Sequence, residues 1–554
     1  MIDNEIRKRS DGMFSQLDNE YTTWEPHYRD IAMMLNPRRQ RFNVEDSNRH
    51  SAVNSKIVDP SATIYLRTAM GGMYSGITNP TMKWLRFNVA DKDLNKRHSV
   101  RLYLDQCAEI VLKMLFKTNF YNSVPSVFMD ILSYSTSSIG VEKDEYSVLR
   151  FFPNPIGSYR IATNDRLSVN THAKKRMWTA DQLVRRFGLE NVSEATKSAY
   201  SNHNYQQRFE VRHLVFDNPD FIPTAFSGVH KEFASVWYQP DAEEGKILSR
   251  SGFDEFPFFC PRWEALGADV YGSFGPGMLA LGSIKGLQVD QRNKHTANAL
   301  QIKPPMVGPS TMKNSGASLV PGGITFVDGA QGVDQFKPAF ATNFSTSEAL
   351  ASIADTREII KQAFFYDLFL TVIDVQKSGV TAYEIAQRKE EKMIMLGPVL
   401  SRFDEEFLDP TVSLGFRECH RRGMLPDPPL ELDGVDIQIE YMGMLHQAQK
   451  SIGIASIERT LGFYGNMAAV FPQVLDKVNI DAAADIYADI TGTTPEILND
   501  EETVKNIREG RAQAQQREQL AAMAQPAQQG AAAAKLMSEV DVSSANGLTN
   551  MLGI

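Results

Sequence analysis

The sequence predicts an α+β protein that is predominantly helical, and three observations carry that prediction. Apolar residues recur at helical spacing through roughly the first 135 residues and again after about 275. Short segments with a period of two, broken by Asn, Asp, Gly and Pro, fill the stretch from about 138 to 265. Beyond it, two long helical segments flank a run crowded with glycine and proline.

A chain of 554 residues exceeds one ordinary core and predicts several packed units. With 42% hydrophobic and 23% charged residues it has globular composition. A formal charge of −9 lacks the basic signature of a general nucleic-acid binder. Cys107, Cys260 and Cys419 lie far apart and form no CxxC, which fits a reducing compartment and argues against a disulfide framework or zinc ribbon. "MIDNEIRKRS" has no apolar core of a signal peptide. No run reaches the roughly 18–20 uncharged apolar residues of a spanning helix. "AFFYDLFLTVIDV" comes nearest, and Asp367 and Asp374 interrupt it. A cytosolic-type chain with no membrane partner is expected.

Taken in order, Trp24, Tyr28, Ile31 and Leu35 mark a helix that Pro37 stops. "ATIYLRTAMGGMYSGITNP" is a second, followed by strand-like "KWLRFNV" and the helix "SVRLYLDQCAEIVLKMLFKT". Among the short strands that follow, Thr179-x-x-Gln182 is a capping box that opens one helix. Residues 275–303 are helical and stop at Pro304-Pro305. Eleven Gly or Pro residues between 304 and 338 are too many for regular structure. A second capping box, Ser345-x-x-Glu348, opens the next helix, so the whole is an αα-hairpin with an elaborated tip. Each arm would be roughly 35–40 Å long.

A break is expected at "TVIDVQKSGV". Thr381-x-x-Glu384 then caps a long charged helix whose seam is Leu396, Leu400, Phe403 and Phe407. Pro398 removes a backbone donor, so a bend is expected at Gly397-Pro398. One strand, "VDIQIEYMG", and further helices complete the chain. Thr494-Pro495-Glu496 is a helix start. Residues 512–534 hold ten Ala and seven Gln, which can be helical but build no core alone.

Catalytic patterns are missing: no GxxxxGK[ST], HExxH or GxSxG occurs, and the ten histidines show no paired ligand spacing. "GPGMLA" (Gly275–Ala280) is a GxGxxA, but no apolar strand precedes it and Pro276 stiffens the turn. Its glycines are read as a helix start, with a nucleotide-binding enzyme as the remote alternative. "DKD" at 91–93 reads as solvated carboxylates, "PRRQR" at 37–41 as a solvated loop or subunit salt bridge, and Cys260 as a small buried hydrophobe. Neither a cofactor nor a metal site is expected, and the chain is not expected to be an enzyme. Lys285, Arg292 and Lys303 share one stripe of their helix, which is either a solvated basic face or a row of cations facing a polyanion.

The run "GFDEFPFFCPRWEALGADVYGSFGPGMLALGSIKGL" is similar to the signature of the head-to-tail connecting proteins, the portal proteins of podovirus-type bacteriophages. "YRDIAMMLNPRRQRF", "SGITNPTMKWLRF", "FFPNPIGSYRIATND", "TAYEIAQRKEEKMIMLGPVLSRFDEEFLDP", "RRGMLPDPP" and "EYMGMLHQAQKS" extend the resemblance over about residues 1–520. It implies a dodecameric ring at one capsid vertex, a non-enzymatic channel through which double-stranded DNA is packaged, retained and ejected. Its implied partners are the large terminase, tail adaptor, major capsid protein and scaffolding protein, with internal ejection proteins at the crown. It would be made in the host cytoplasm and reside in the virion. Another phage neck component is the alternative.

The resemblance divides the chain into a wing (1–274), a first stem helix (275–303), a clip (304–344) and a second stem helix (345–370). A channel loop (371–380), a kinked wing helix (381–422), a returning strand (423–444) and a helical crown (445–554) follow. It puts Asp374, Gln376, Lys377 and Ser378 beside DNA, together with the stripe Lys285, Arg292 and Lys303. Pro304, Pro305, Met306, Lys313, Pro321 and Gly322 would belong to the docking clip. Twelve copies at −9 would carry −108, which opposes tight adhesion of DNA to the channel.

Overall fold

The computed structural model describes residues 2–37, 56–91, 94–95, 97–225, 227–243, 245–267, 269–304, 306–307, 337–338, 345–378, 394–451, 454–468, 471–491 and 503–517. The fold is α+β and mostly helical. Two compact units divide it. The larger comprises Met1–Asn88, Leu104–Asp427 and Gln438–Gly492; the smaller gathers Val89–Tyr103, Pro428–Ile437 and the chain from Thr493 on. In the smaller unit, Arg97 and Ser99 both bond Glu431, at 2.7 and 3.0 Å.

In chain order the larger unit begins with α1 (Ile2–Met34) and α2 (Ser61–Ile77), shares β1 (Leu85–Val89) and α3 (His98–Lys117) with the smaller one, and continues with α4 (Phe120–Tyr134). Its β region comprises β2 (Ser138–Asp144), β3 (Val148–Asn154), β4 (Tyr159–Thr163) and β5 (Val169–Thr179). After α5 (Ala180–Phe187) and α6 (Glu194–Ser201) come β6 (Arg208–Asp217), β7 (Phe233–Tyr238), β8 (Ser249–Phe253) and β9 (Phe258–Phe259). Strands β4 to β8 form one antiparallel sheet in sequence order, and β3-β2-β9 form a smaller one.

The period-two patterning of the strands decides what covers each face of the large sheet. Leu214 and Phe216 of β6, with Ala234, Val236 and Tyr238 of β7, pack on Ile6, Phe14 and Leu17 of α1. The alternate residues Phe209, Val211 and Trp237 pack on Ala180, Leu183 and Ala199 from α5 and α6. Thr179 and Gln182 make the reciprocal capping box read from the sequence. Farther along, Tyr21, Tyr28 and Ile31 of α1 and Leu35 just past its end are fully buried.

The hairpin consists of α7 (Pro276–Ile302), the short antiparallel pair β10 (Met306–Val307) and β11 (Lys337–Pro338), and α8 (Thr346–Ala363). Ser345 caps α8 by accepting from the Glu348 N–H at 3.4 Å. The helix breaks at Phe364-Phe365, where Phe365 takes φ +51°, and α9 (Tyr366–Ser378) follows. The break expected over 371–380 therefore falls earlier, and the chain is helical from Thr371 to Ser378. Packing on α2 holds this segment as a helix. A Cβ at Gly72 would stand 2.4 Å from Phe369 Cβ, and one at Gly71 would stand 3.5 Å from Ile373.

Residues 394–403 form α10, and helical backbone runs through Gly397 and Pro398. The departure from α geometry comes later than the expected bend, as a π-helical turn at Asp404–Leu408 before α11 (Asp409–Arg421). The seam Leu396, Leu400, Phe403 and Phe407 is buried as its spacing predicts. Phe403 stacks on Phe128 and Phe407 on Phe120 of α4. The chain continues through β12 (Ile437–Tyr441), α12 (Met444–Ser451), α13 (Ile454–Ala468) and α14 (Ile480–Thr491), and 503–517 are helical. The Thr381-Glu384 and Thr494-Pro495 starts, residues 518–534 of the Ala/Gln run and most of "PRRQR" lie outside the described residues.

Glycine sets the root of the hairpin. Helix α4 ends with Ser135 in the left-handed region, φ +63°. Cβ atoms at Gly272 and Gly277 would lie 1.9 Å from the Ser135 carbonyl oxygen and 2.3 Å from that of Ser133. Gly277→Ala is expected to destabilise the chain by about 1–3 kcal/mol in chemical denaturation through overpacking. Gly282, one turn on, has nothing within 4 Å of a built Cβ. Gly282→Ala should therefore stabilise it by up to about 1 kcal/mol, the helix-propensity difference.

Candidate functional site

The hairpin is held by its root and by a polar clamp midway along it. Asp59, just ahead of α2, is buried, with a side chain only 1% exposed. Its Oδ2 accepts from Gln291 Nε2 of α7 at 2.8 Å and from Arg357 Nη2 of α8 at 2.7 Å. In return, Gln288 Oε1 accepts the N–H groups of Val58 and Asp59, at 2.7 and 2.9 Å. One short segment thus binds both arms. Burial alone would raise the Asp59 carboxyl, but hydrogen bonds from Ser61, Arg357 and Gln291 outweigh it and hold it below the usual aspartate value.

The predicted basic stripe divides. Lys285 donates to Asp30 of α1 at 2.6 Å, and Arg292 donates to the Lys56 carbonyl at 2.7 Å. Lys303, at the end of α7, is exposed. Lys285 and Asp30 are each about two-fifths exposed, so their pair contributes at most about 1 kcal/mol. On α8 the charges are arranged differently. Arg357 is taken by Asp59 and Lys361 by Asp367 at 3.0 Å, while Glu348, Asp355 and Glu358 are exposed.

Pro304 follows α7 directly, and Met306 begins β10. Pro305, Lys313, Pro321 and Gly322 lie outside the described residues, as do the side chains of Met306, Asp374, Gln376, Lys377 and Ser378. Sequence reading missed Asp59, Gln288, Gln291 and Arg357. The available signal was Asp59-Pro60-Ser61, a helix start that pointed to a local cap and not to a partner more than 200 residues away.

The chemistry of the remaining candidates is structural. Gly275 N–H donates to Ser135 Oγ at 2.8 Å, so "GPGMLA" meets a helix end where a dinucleotide site would meet a pyrophosphate. Cys260 is buried, which pushes its thiol up to about 12 and leaves it protonated. His172 and His213 stack on Phe258 and Trp237 and bond Ser138 and Ser235. Burial drives both imidazoles well below the ordinary histidine value, so they are neutral core groups. Among the described residues no group of three His, Cys, Asp or Glu could hold a metal, and no helix is long and apolar enough to cross a membrane.

A long hairpin anchored on an α+β body by packing and a buried clamp defines a structural subunit. Comparison with known proteins says which kind. The sequence profile of the family described as "Bacteriophage head to tail connecting protein" matches residues 7–498. The portal protein of Salmonella phage epsilon15 is 39% identical over 97% of this chain and 96% of its own length. The probable portal protein of Bordetella phage BPP-1 is 35% identical over 100% of this chain and 99% of its own. A chain from the virion of a native gene transfer agent particle matches with a TM-score of 0.30 at 11% identity, over 73% of this chain and 90% of that one. The chain belongs to the bacteriophage head to tail connecting proteins. It is a portal-type connector, and its family is structural.

Asp59→Asn is expected to cost about 1–3 kcal/mol, since Arg357 keeps partial access to water. The sign of the pH dependence follows from a folded-state pKa below the unfolded one. The wild-type advantage is complete above the ordinary aspartate range and shrinks as pH falls through it toward the folded value. Urea titrations of both proteins over that range check it.

Proposed function

We propose that twelve copies form a ring at the unique capsid vertex, with the hairpins standing round a channel for double-stranded DNA. The observation that carries this reading is the geometry of α7 and α8, two antiparallel arms joined by a β10-β11 tip and clamped by Asp59 at one shared height. In it, 1–274 form the wing, 275–303 and 345–370 the stem, 304–344 the clip that receives terminase and tail adaptor, and 371–380 the segment that approaches DNA. Residues 381–422 and 423–444 complete the wing, and 445–554 form the crown, where internal ejection proteins would enter. Capsid and scaffolding proteins would meet the wing during assembly in the host cytoplasm.

The channel surface is read from what each arm leaves unpaired. Lys285 and Arg292 are engaged within the chain, whereas Glu348 is exposed at the tip end of α8. That supports a lining that repels the phosphate backbone, with Lys303 and residues 374–378 as the local exceptions. Loose guidance suits transport; dense cation contacts would hold DNA in place.

Negative-stain microscopy of the purified chain should show round particles with a central opening. A protein that stays monomeric in every buffer and beside its capsid partners would overturn the reading. Lys377→Glu should alter DNA packaging or retention while rings still form. Unchanged retention would remove Lys377 from the channel.

A further inference from the structure

Among the described residues, the two sides of the hairpin are unequally covered. Asp59 bonds both arms, so residues 56–59 cross the side that Gln288, Gln291 and Arg357 face. Leu279 lies nine residues before Gln288, two and a half turns, and Ile359 lies two after Arg357. At about 100° per residue, both point away from the clamp. There Leu279 and Ile359, with Phe274 and Met395, line a groove of about 1020 Å³ whose charged lining is three acids, Glu264, Glu358 and Asp367, against one base, Arg402. The four apolar side chains are each more than half exposed. Lys361 reaches Glu358 at 3.4 Å and Asp367 at 3.0 Å, and Glu264 makes no ion pair among the described residues.

On the clamp side, the exposed chemistry is complementary. Val58 and Ile64 are 38% and 52% exposed, and Arg67, one turn beyond Ile64 on α2, is exposed as well. Lys56 adds a second cation. A basic apolar knob on one side and an acidic apolar groove on the other are the two halves of a head-to-tail contact, which closes into a ring when the rotation is right. We infer that the Val58-Ile64-Arg67 knob of one copy seats in the Leu279-Ile359 groove of the next. This rests on the ring reading and names the seam through which the ring closes.

Cross-linking and charge exchange on the full-length protein test it. The native cysteines are buried, so Ile64→Cys with Ile359→Cys should give a ladder of multimers with a short bis-maleimide, and neither single variant should. Arg67→Glu and Glu264→Arg should each lower the ring fraction about fivefold at limiting concentration, roughly 1 kcal/mol per contact, and the double exchange should restore it. Normal rings without a ladder, and with neutral charge variants, would overturn the seam and leave the ring standing. No wild-type ring under any condition would overturn both. In the Ile359→Cys variant the thiol should react with maleimide in the monomer and be protected in the ring. Protection already in the monomer would assign the groove to residues 379–393 of the same chain and sink the inference.

Discussion

The hairpin stands where it does because three glycine backbones lie against the turn that ends α4. Gly272, Gly275 and Gly277 approach Ser133–Ser135 so closely that any side chain would collide with a carbonyl or with the Ser135 hydroxyl. Ser135 itself takes a left-handed conformation that turns its hydroxyl oxygen to the Gly275 N–H. Backbone packed on backbone has no rotamer freedom with which to give way. The direction of α7 is therefore fixed at its first turn, and the arm beyond it inherits that direction.

Asp59 then fixes the second arm to the first. It joins Gln291 to Arg357 at about the middle of α7, so sliding α8 along α7 would strip a buried carboxylate of its partners. Leaving such a charge unpaired costs several kcal/mol, far more than the exposed Lys285-Asp30 pair could return. The two contacts differ in kind: close packing sets orientation at the root, and hydrogen bonding sets register higher up. Near the root, Glu406 in the π turn accepts from the backbone N–H and guanidinium of Arg262, at 2.7 and 3.0 Å. The helix that carries the Leu396–Phe407 seam is thereby tied to the loop that feeds the hairpin.

What the sequence made legible was local. Ser345 and Thr179 each cap the helix they were expected to cap, because a cap needs only residues three positions apart. The seam from Leu396 to Phe407 was visible because burial on one face leaves a 3.6-residue period. The break at Phe365 was not visible: "FFYDLFL" is apolar all round and shows no face to read, and its fold depends on where Gly71 and Gly72 let α9 approach. The partners of the basic stripe were hidden for a related reason. Spacing shows that Lys285 and Arg292 share a side of α7, but not that α1 and the Lys56 carbonyl wait on that side.

The string that carries the family resemblance and the string that resembles a nucleotide fingerprint overlap at "GSFGPGMLA", and one physical account covers both. Glycine is demanded in a dinucleotide site because a phosphate must come close to backbone. Here the body that comes close is the end of α4, and Pro276 starts the helix where a flexible turn would otherwise admit a ligand. The same spacing therefore serves rigidity. A subunit whose task is geometric needs its arm to leave the body at one angle in every copy. A glycine-packed root meets that need without any charge or catalytic group.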